Sequence, residues 1–280
     1  RTDEPNTART AALLAGLPPE VTGYTIQRQC ASGLQAIISG ALQIQTGMSD
    51  VVIAGGVEAM STSPYLLKNQ RWGSRLQHSQ MYDSVWEVLE DPIHHIMMGE
   101  TAERLADKYE ITREEQDELA LLSHQRASAA IESGIFDSEI VPLVLKERKG
   151  EKVISTDEGP KSSLSLDKLS GLRPAFREEG TVTAGNASSL NDGAAAVVLM
   201  AEEVAKEKGI TPLATIRSFH VSGVEPTLMG IGPVPAIKSA LSKVEWKLED
   251  VDLFEINEAF AAQYIAVEKE LQLNRQQVNV

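Results

Sequence analysis

One cysteine stands in this sequence, at the centre of Ile26-Gln27-Arg28-Gln29-Cys30-Ala31-Ser32-Gly33-Leu34. Upstream, Tyr24-Thr25-Ile26 alternates as a strand does. Downstream, Leu34, Ile37, Ile38, Ala41 and Leu42 recur at helical spacing, and Gly47 closes the pattern. Cys30 therefore falls at or just before a first helical turn. Unpaired N–H groups and the positive end of the helix dipole there favour a thiolate over a thiol. That is nucleophile chemistry. The competing reading is an inert, buried structural cysteine, which is common for a lone thiol.

A second polar pair, Asn257-Glu258, follows the expected strand Val251–Ile256 and opens the last helix. Like Cys30, it lies at the carboxyl end of a strand, the edge where open α/β sheets bind ligands. Asn257 offers both a donor and an acceptor, enough to hold a water or a carbonyl oxygen. Glu258 either orients a base or caps the helix. The stretch Ala184 to Gly193 is nearly all Gly, Ala, Ser and Asn, so a thin ligand could lie against its backbone with Ser188 as a partner. A tight turn between layers is the other reading. Neither GxGxxG nor a phosphate-cradling Gly-Lys-Ser/Thr is present. The five histidines (His78, His94, His95, His124 and His220) show no His-x-x-x-His spacing, and no metal site is expected. The acidic run from Glu100 to Asp117 reads as a solvated face.

The elements that must position these groups alternate along the chain. A helix is expected over Thr7–Leu14, with Asn6 as N-cap and Gly16 at its end. Asp50 to Gly56 is apolar on both faces, as a buried parallel strand would be, and with the preceding strand and helix it forms a right-handed βαβ unit. Its glycines let another chain or a ligand approach the backbone closely. From Glu58 to about Asn191 the pattern is less regular. Gly99 to Tyr109 is helical, and Thr112-x-x-Glu115 is a capping box opening a helix that runs to Gly134. A strand begins at Ile140-Val141, and a turn at Lys149-Gly150 precedes Val153-Ile154. This whole segment reads as an α/β insertion over the core. Beyond it come a strand over Ala194–Met200, a helix over Glu202–Lys208, a strand over Ala214–Phe219 and a helix reaching Leu241. The alternation implies an α/β fold with mixed, largely parallel sheets.

Composition narrows the function. The 280 residues are 42% hydrophobic and 24% charged, the mix of an ordinary globular protein with a substantial core. A net charge of −14 argues against nucleic acid but leaves room for an anionic small ligand held locally. One cysteine excludes an internal disulfide and fits a reducing compartment, so the cytoplasm is expected, or an organelle matrix. No apolar run reaches the length of a membrane span, and no membrane partner is expected. The chain opens on Arg1-Thr2-Asp3 and stops at Gln277-Val278-Asn279-Val280, where a strand begins. It is read as truncated at both ends.

Taken in order, several stretches resemble the thiolase family of acyl-CoA acyltransferases. They are Asn6-Thr7-Ala8-Arg9, Arg28-x-Cys30-x-Ser32-Gly33-Leu34-Gln35-Ala36, Ala54-Gly55-Gly56-x-Glu58-x-Met60-Ser61 and Met98-Gly99-x-Thr101-Ala102-Glu103. Leu172-Arg173-Pro174-Ala175-Phe176, Thr181 to Asn191 and Asn257-Glu258-Ala259-Phe260 complete the series. The resemblance implies thiolysis of 3-ketoacyl-CoA, or the reverse Claisen condensation of two acyl-CoA molecules. It makes Cys30 the nucleophile that carries the acyl group, with its own N–H part of an oxyanion hole, and Asn257 the holder of the water in a second oxyanion hole. Met98, Phe176, Ala184, Ser188 and Phe260 match positions around the pantetheine arm, and Leu89 also lines it. Lys161 falls where the family commonly has an arginine near the CoA 3′-phosphate, keeping the charge without the fork. Coenzyme A enters as substrate, with no permanently bound cofactor.

The resemblance also implies a layered αβαβα architecture of two similar halves. The first half would comprise residues 1–58 and 191–211, a loop domain 59–190, and the second half 212–280. Met97-Met98-Gly99 stands where short-chain biosynthetic members often carry His-Met-Gly, which implies a broader 3-ketoacyl range. The family's Gly-His-Pro histidine and second cysteine would lie beyond Val280, so the chain alone is expected to be inactive. A homodimer or homotetramer is expected, with tetramer contacts around Trp72–Asp91. Two alternatives remain at this stage: a related condensing enzyme of fatty-acid or polyketide synthesis, and a non-catalytic acyl-CoA- or lipid-binding paralogue.

Overall fold

A computed structural model describes residues 4–148 and 150–280. In chain order the elements are α1 (Thr7–Leu14), α2 (Ser32–Gln45), β1 (Val51–Ala59), β2 (Tyr65–Leu67), β3 (Met81–Asp83), α3 (Ser84–Val88), α4 (Met98–Tyr109) and α5 (Arg113–Glu132). They continue with β4 (Leu143–Glu147), β5 (Gly150–Ile154), α6 (Leu166–Ser170), β6 (Asp192–Met200), α7 (Glu202–Glu207), α8 (Pro233–Ser242) and α9 (Ala261–Leu271). Two compact units result. The first runs up to Val88 and adds Leu190–Phe219; the second joins Leu89–Ser189 to His220–Val280.

In the first unit, α1 starts where the Asn6 side chain accepts the Arg9 N–H, and the chain turns out of it at Gly16 with φ +83°. Asn6 donates to Gly23 O at 2.9 Å and the Arg9 guanidinium reaches Pro19 O at 2.7 Å. These bonds hold the approach to Cys30 against α1. β1 pairs antiparallel with β6 in register from Val51–Met200 to Ala59–Asp192, and α2 packs on this pair through glycine. A Cβ on Gly56 would stand 3.3 Å from Gly33 Cα, and one on Gly40 would stand 2.8 Å from Leu199 Cδ1. The chain that these glycines admit is thus α2 itself.

The second unit holds the core. Ala102, Leu105 and Ala106 of α4, Leu119 of α5, and Ala262, Tyr264, Ile265, Ala266 and Val267 of α9 form one buried cluster with Val182, Val234, Ile256 and Val278. α5 begins with the expected capping box: Thr112 accepts the Glu115 N–H, and the Glu115 carboxylate accepts the Thr112 N–H.

Several expectations are corrected. The described ladders are all antiparallel, β1–β6, β2–β3 and β4–β5. The βαβ unit is not formed, because Tyr24–Ile26 has no ladder partner among the described residues. Ala214–Phe219 likewise forms no ladder among the described residues, and within Val251–Ile256 the pairing described is the parallel bridge of Phe254 with Val278. Extended, apolar character is local; a ladder needs a distant partner. β1 is not buried on both faces, only its Ala54 being so. On α2, Ile38 and Ala41 are buried but Leu34 and Leu42 are exposed. The strand expected from Ile140 starts at Leu143. The expected turn at Lys149-Gly150 falls partly on Lys149, which lies outside the described residues.

Candidate active site

Cys30 sits in the first unit with an exposed thiol. The turn that presents it is tight. Gln29 takes the left-handed conformation at φ +48°, Ala31 N–H donates to Arg28 O at 3.0 Å, and Ser32 N–H donates to Gln29 O at 3.0 Å. The Ser32 hydroxyl accepts the Arg28 N–H at 2.7 Å, folding the turn back on itself. A non-glycine residue at positive φ persists only where its surroundings over-determine it, a recurrent feature of functional sites. α2 begins at Ser32, two residues past Cys30, and its N-cap Ala31 supplies no side-chain cap. The donors of the first turn are thus left to main chain, water or ligand. The close Gly33–Gly56 contact seats that turn on β1.

The remaining expected site residues all lie in the second unit, and most of them meet. Met98 N–H donates to Leu89 O at 2.9 Å. The Phe176 ring covers Gly99 so closely that a Cβ there would stand 2.1 Å from Phe176 Cε2. Phe176 and Phe260 pack edge to face, with centroids 6.0 Å apart. Phe260 bridges Ala187, Ser188 N–H donates to Ala259 O at 3.0 Å, and the Ser188 hydroxyl donates to Glu258 O at 2.8 Å. Leu89, Met98, Phe176, Phe260 and Ser188 therefore form one continuous run that ends beside Asn257. Ala184 is exposed on the same loop as Ser188. Lys161 reaches the run from elsewhere: its N–H donates to His124 Nδ1 at 3.2 Å, next along α5 from Ser123, whose hydroxyl donates to Glu258 Oε2 at 2.6 Å. Burial holds His124 below its ordinary value, helped by the Lys161 charge and opposed by Glu258.

Asn257 is exposed, and its amide makes no hydrogen bond to the described residues. Glu258 does not cap α9, which starts at Ala261 with Phe260 in the N-cap position. Its carboxylate is taken up by Ser123 and Asn279 instead.

The small-residue loop is packed as well as exposed. A Cβ on Gly185 would stand 2.5 Å from Leu172 Cδ1, and Asn186 O accepts the first N–H of α9 from Ala261 at 2.9 Å. The acids expected on a solvated face hold this loop. Glu103 is 2% exposed and accepts the Thr181 and Val182 N–H groups and the Thr181 hydroxyl, each at 2.9 Å. Asp117, 3% exposed, accepts the Asn186 side-chain amide at 2.9 Å. These partners lie far along the chain, so local charge pattern could not reveal them. Beside Phe176, Arg177 pairs with Glu100 at 2.7 and 2.8 Å and with Asp107 at 2.6 Å.

These sites define an α/β protein with an exposed thiol at a helix start in one unit and an aromatic and small-residue run ending at an asparagine in the other. The family described as "Thiolase, N-terminal domain" matches residues 2–203, and "Thiolase, C-terminal domain" matches residues 210–280. The chain belongs to the thiolase family, and its α/β fold is the thiolase fold. It is 50% identical over 277 residues to a probable acetyl-CoA acyltransferase of Staphylococcus aureus, covering 98% of this chain and 70% of that protein. It is 68% identical to the Bacillus anthracis acetyl-CoA acetyltransferase, at a TM-score of 0.97, covering 100% of this chain and 71% of that one. A human mitochondrial 3-ketoacyl-CoA thiolase, solved in complex with CoA, is 44% identical at a TM-score of 0.93, covering 98% of this chain and 68% of that one.

Proposed function

We propose that the protein is an acyl-CoA C-acyltransferase that works through an acyl-Cys30 intermediate. In the degradative direction the Cys30 thiolate adds to the 3-keto carbonyl of a 3-ketoacyl-CoA. The bond between the α-carbon and that carbonyl breaks, leaving the acyl group on sulfur and the electron pair on an acetyl-CoA enolate, which is then protonated. The thiol of a second CoA takes the acyl group from Cys30. A water held by Asn257 stabilises the enolate oxygen, and the Cys30 N–H stabilises the oxyanion at the acyl carbonyl.

The observation that carries this reading is the run Leu89–Met98–Phe176–Phe260–Ser188 leading to Asn257, within a member of the thiolase family. Two aromatic rings and a small-residue loop suit a long, thin, sparsely hydrogen-bonded pantetheine arm. Ser188 has spent its proton on Glu258 O, so toward a ligand its hydroxyl acts as an acceptor. Lys161 serves the 3′-phosphate as a point charge. Coenzyme A is the substrate carrier, not a resident cofactor. The lack of a histidine in the His-Met-Gly position supports a range of 3-ketoacyl lengths beyond acetoacetyl.

Four further readings go with it. The working division is 1–58 with 191–211, a loop domain 59–190 covering the CoA site, and 212–280. The exposed apolar residues of β1 and β6, with Trp72 and Trp86, support a homodimer or homotetramer. The exposed thiol supports a reducing compartment such as the cytoplasm. None of the five histidines stands in a Gly-His-Pro and there is one cysteine. The 280-residue chain by itself is therefore expected to take up an acyl group on Cys30 without turning over.

The test is alkylation. Iodoacetamide should label Cys30 of the protein made from its full native gene faster than it labels free cysteine at neutral pH, and acyl-CoA should protect it. Ordinary reactivity with no protection would sink the assignment.

A further inference from the structure

The residues on either side of Asn257 are clamped by groups that the sequence motif does not contain. Phe254 N–H donates to Gln277 O at 2.8 Å and Asn279 N–H donates to Phe254 O at 2.9 Å, a short parallel pairing. At Asn279 the main chain leaves this pairing, turning to φ +50°, a conformation that asparagine tolerates better than most residues. Its side chain then continues the ladder in place of the backbone. Asn279 Oδ1 accepts the Ile256 N–H at 2.8 Å, and Asn279 Nδ2 donates to Ile256 O at 2.8 Å. The second proton on Nδ2 goes to Glu258 Oε1 at 2.7 Å. One amide thus grips the residue before Asn257 at two points and the residue after it at a third.

Helix α5 secures both sides of this clamp. Ser123 donates to the other oxygen of Glu258 at 2.6 Å. Arg126, one turn further along the helix, donates to Val278 O at 2.7 Å, Asn279 O at 3.2 Å and Arg275 O at 3.0 Å. With Ile256 and Glu258 both fixed, the Cα–Cβ bond of the exposed Asn257 has one direction in which to point.

We propose that Asn279 and Ser123 are positioning residues for Asn257, acting through the Ile256 backbone and the Glu258 carboxylate to aim its amide at the reacting oxygen. This rests on the enolate-side role proposed for Asn257. Displacing a group by about 1 Å in such a site costs on the order of 100-fold in rate.

The experiment uses the protein made from its full native gene. Asn279→Gly keeps the left-handed backbone and removes the clamp; Ser123→Ala removes one bond to Glu258 and leaves α5 intact. The expected result for Asn279→Gly is a kcat for carbon–carbon cleavage lowered roughly 10- to 100-fold, with unchanged KM and an unchanged rate of Cys30 acylation by acetyl-CoA, a thioester exchange that forms no enolate. Ser123→Ala should follow it by a smaller factor. Asn257→Ala with Asn279→Gly should be no slower than Asn257→Ala alone, since both act on one interaction. A crystal structure of the Asn279→Gly protein should show the Asn257 amide displaced. Independent, multiplying losses, or an Asn257 that stays in place, would overturn the proposal. A silent Asn257→Ala variant would overturn the enolate-side role alone, and the displacement measurement would still decide the clamp.

Discussion

The two units of this chain are held in different ways. Among its described residues the second buries one continuous cluster running through α4, α5 and α9, together with seven buried polar or charged side chains. Among its described hydrophobic residues the first buries only Ile38, Ala41, Ala54 and Ala205, while Ile53, Val57, Val197 and Val198 of its two-stranded sheet stay exposed. A two-stranded sheet alone is marginally stable and depends on what packs against it. The nucleophile candidate is thus carried by the weakly cored unit, and the proposed CoA-binding residues by the strongly cored one. In the first unit, shape comes from glycine contacts and turn hydrogen bonds; in the second, from apolar burial and polar ties between distant segments.

The largest expected effect follows directly. Leu105 is fully buried in the second unit, so Leu105→Ala should cost roughly 2–5 kcal/mol. Ile53→Ala, at a residue 56% exposed, should cost less than about 1 kcal/mol. Urea unfolding of both variants checks this, and equal losses would break the comparison. Hydrogen exchange sharpens it: amides of β1 and β6 should exchange faster than those of α9 in dilute protein. Their protection should rise with protein concentration if a second copy covers the sheet.

Next in size is Glu103. Replacing it with alanine leaves the Thr181 and Val182 N–H groups and the Thr181 hydroxyl without their acceptor in a buried site, a loss of roughly 2–4 kcal/mol. The loop that it holds carries Ala184 and Ser188, so affinity for acyl-CoA should fall in the same variant even at temperatures where the protein remains folded. Isothermal titration with acyl-CoA, set beside the thermal unfolding curve, separates the two effects. Undiminished affinity would show that the loop keeps its shape without Glu103.

Much of this was legible in the sequence, and the rest was not, for identifiable reasons. Asn6, the Thr112 capping box and the glycines at 16 and 47 act within a few residues of the helix ends they set, so type and spacing sufficed. Cys30 was readable as a junction for the same reason, although the left-handed Gln29 that sharpens its turn was not. Tyr24–Ile26, Ala214–Phe219 and Val251–Ile256 carry strand-like residues, but pairing is decided by a distant partner. Glu103, Asp117, Glu258 and Asn279 look like ordinary polar residues until segments tens of residues away close on them. The motif Asn257-Glu258 was visible; the clamp that aims it was not.

A smaller effect concerns acid. The Arg177 guanidinium, bonded to Glu100, holds that carboxyl below its ordinary value of 4.5, assisted by Arg104 and opposed by burial. A carboxyl depressed in the folded state contributes stability that is fully present above its unfolded value and is lost as pH falls through the folded one. Arg177→Gln should therefore remove about 1 kcal/mol at neutral pH and flatten the acid limb below pH about 4.5. In the first unit Asp192 is likewise depressed by Ser61, but it lies in water. Ser61→Ala should move the acid limb far less. A pH series of unfolding free energies distinguishes the two, and equal shifts would mean that the second unit's burial adds nothing to its ion pair.

The smallest expected effects should differ in sign between the units. Helices α1, α2 and α7 of the first unit run into Gly16, Gly47 and Gly209, all left-handed. In the second unit α5 also runs into a left-handed glycine, Gly134, but α4 and α9 end on Glu110 and Gln272, at φ +51° and +53°. A side chain in that conformation is strained by roughly 1–2 kcal/mol, which glycine would avoid while losing more entropy on folding. Glu110→Gly and Gln272→Gly should therefore stabilise the protein by up to about 1 kcal/mol, whereas Gly47→Ala should destabilise it by a similar amount. The second unit can hold such strain because Leu105 and Ile111 on one side, and Val267 and Leu271 on the other, lock the chain around these ends. Glycine takes the left-handed position after α1, α2 and α7, in a unit with no comparable core to lock a strained end, and after α5. Melting temperatures of the three variants decide the matter. Loss of stability in Glu110→Gly would mean that its side chain contributes more than its backbone costs.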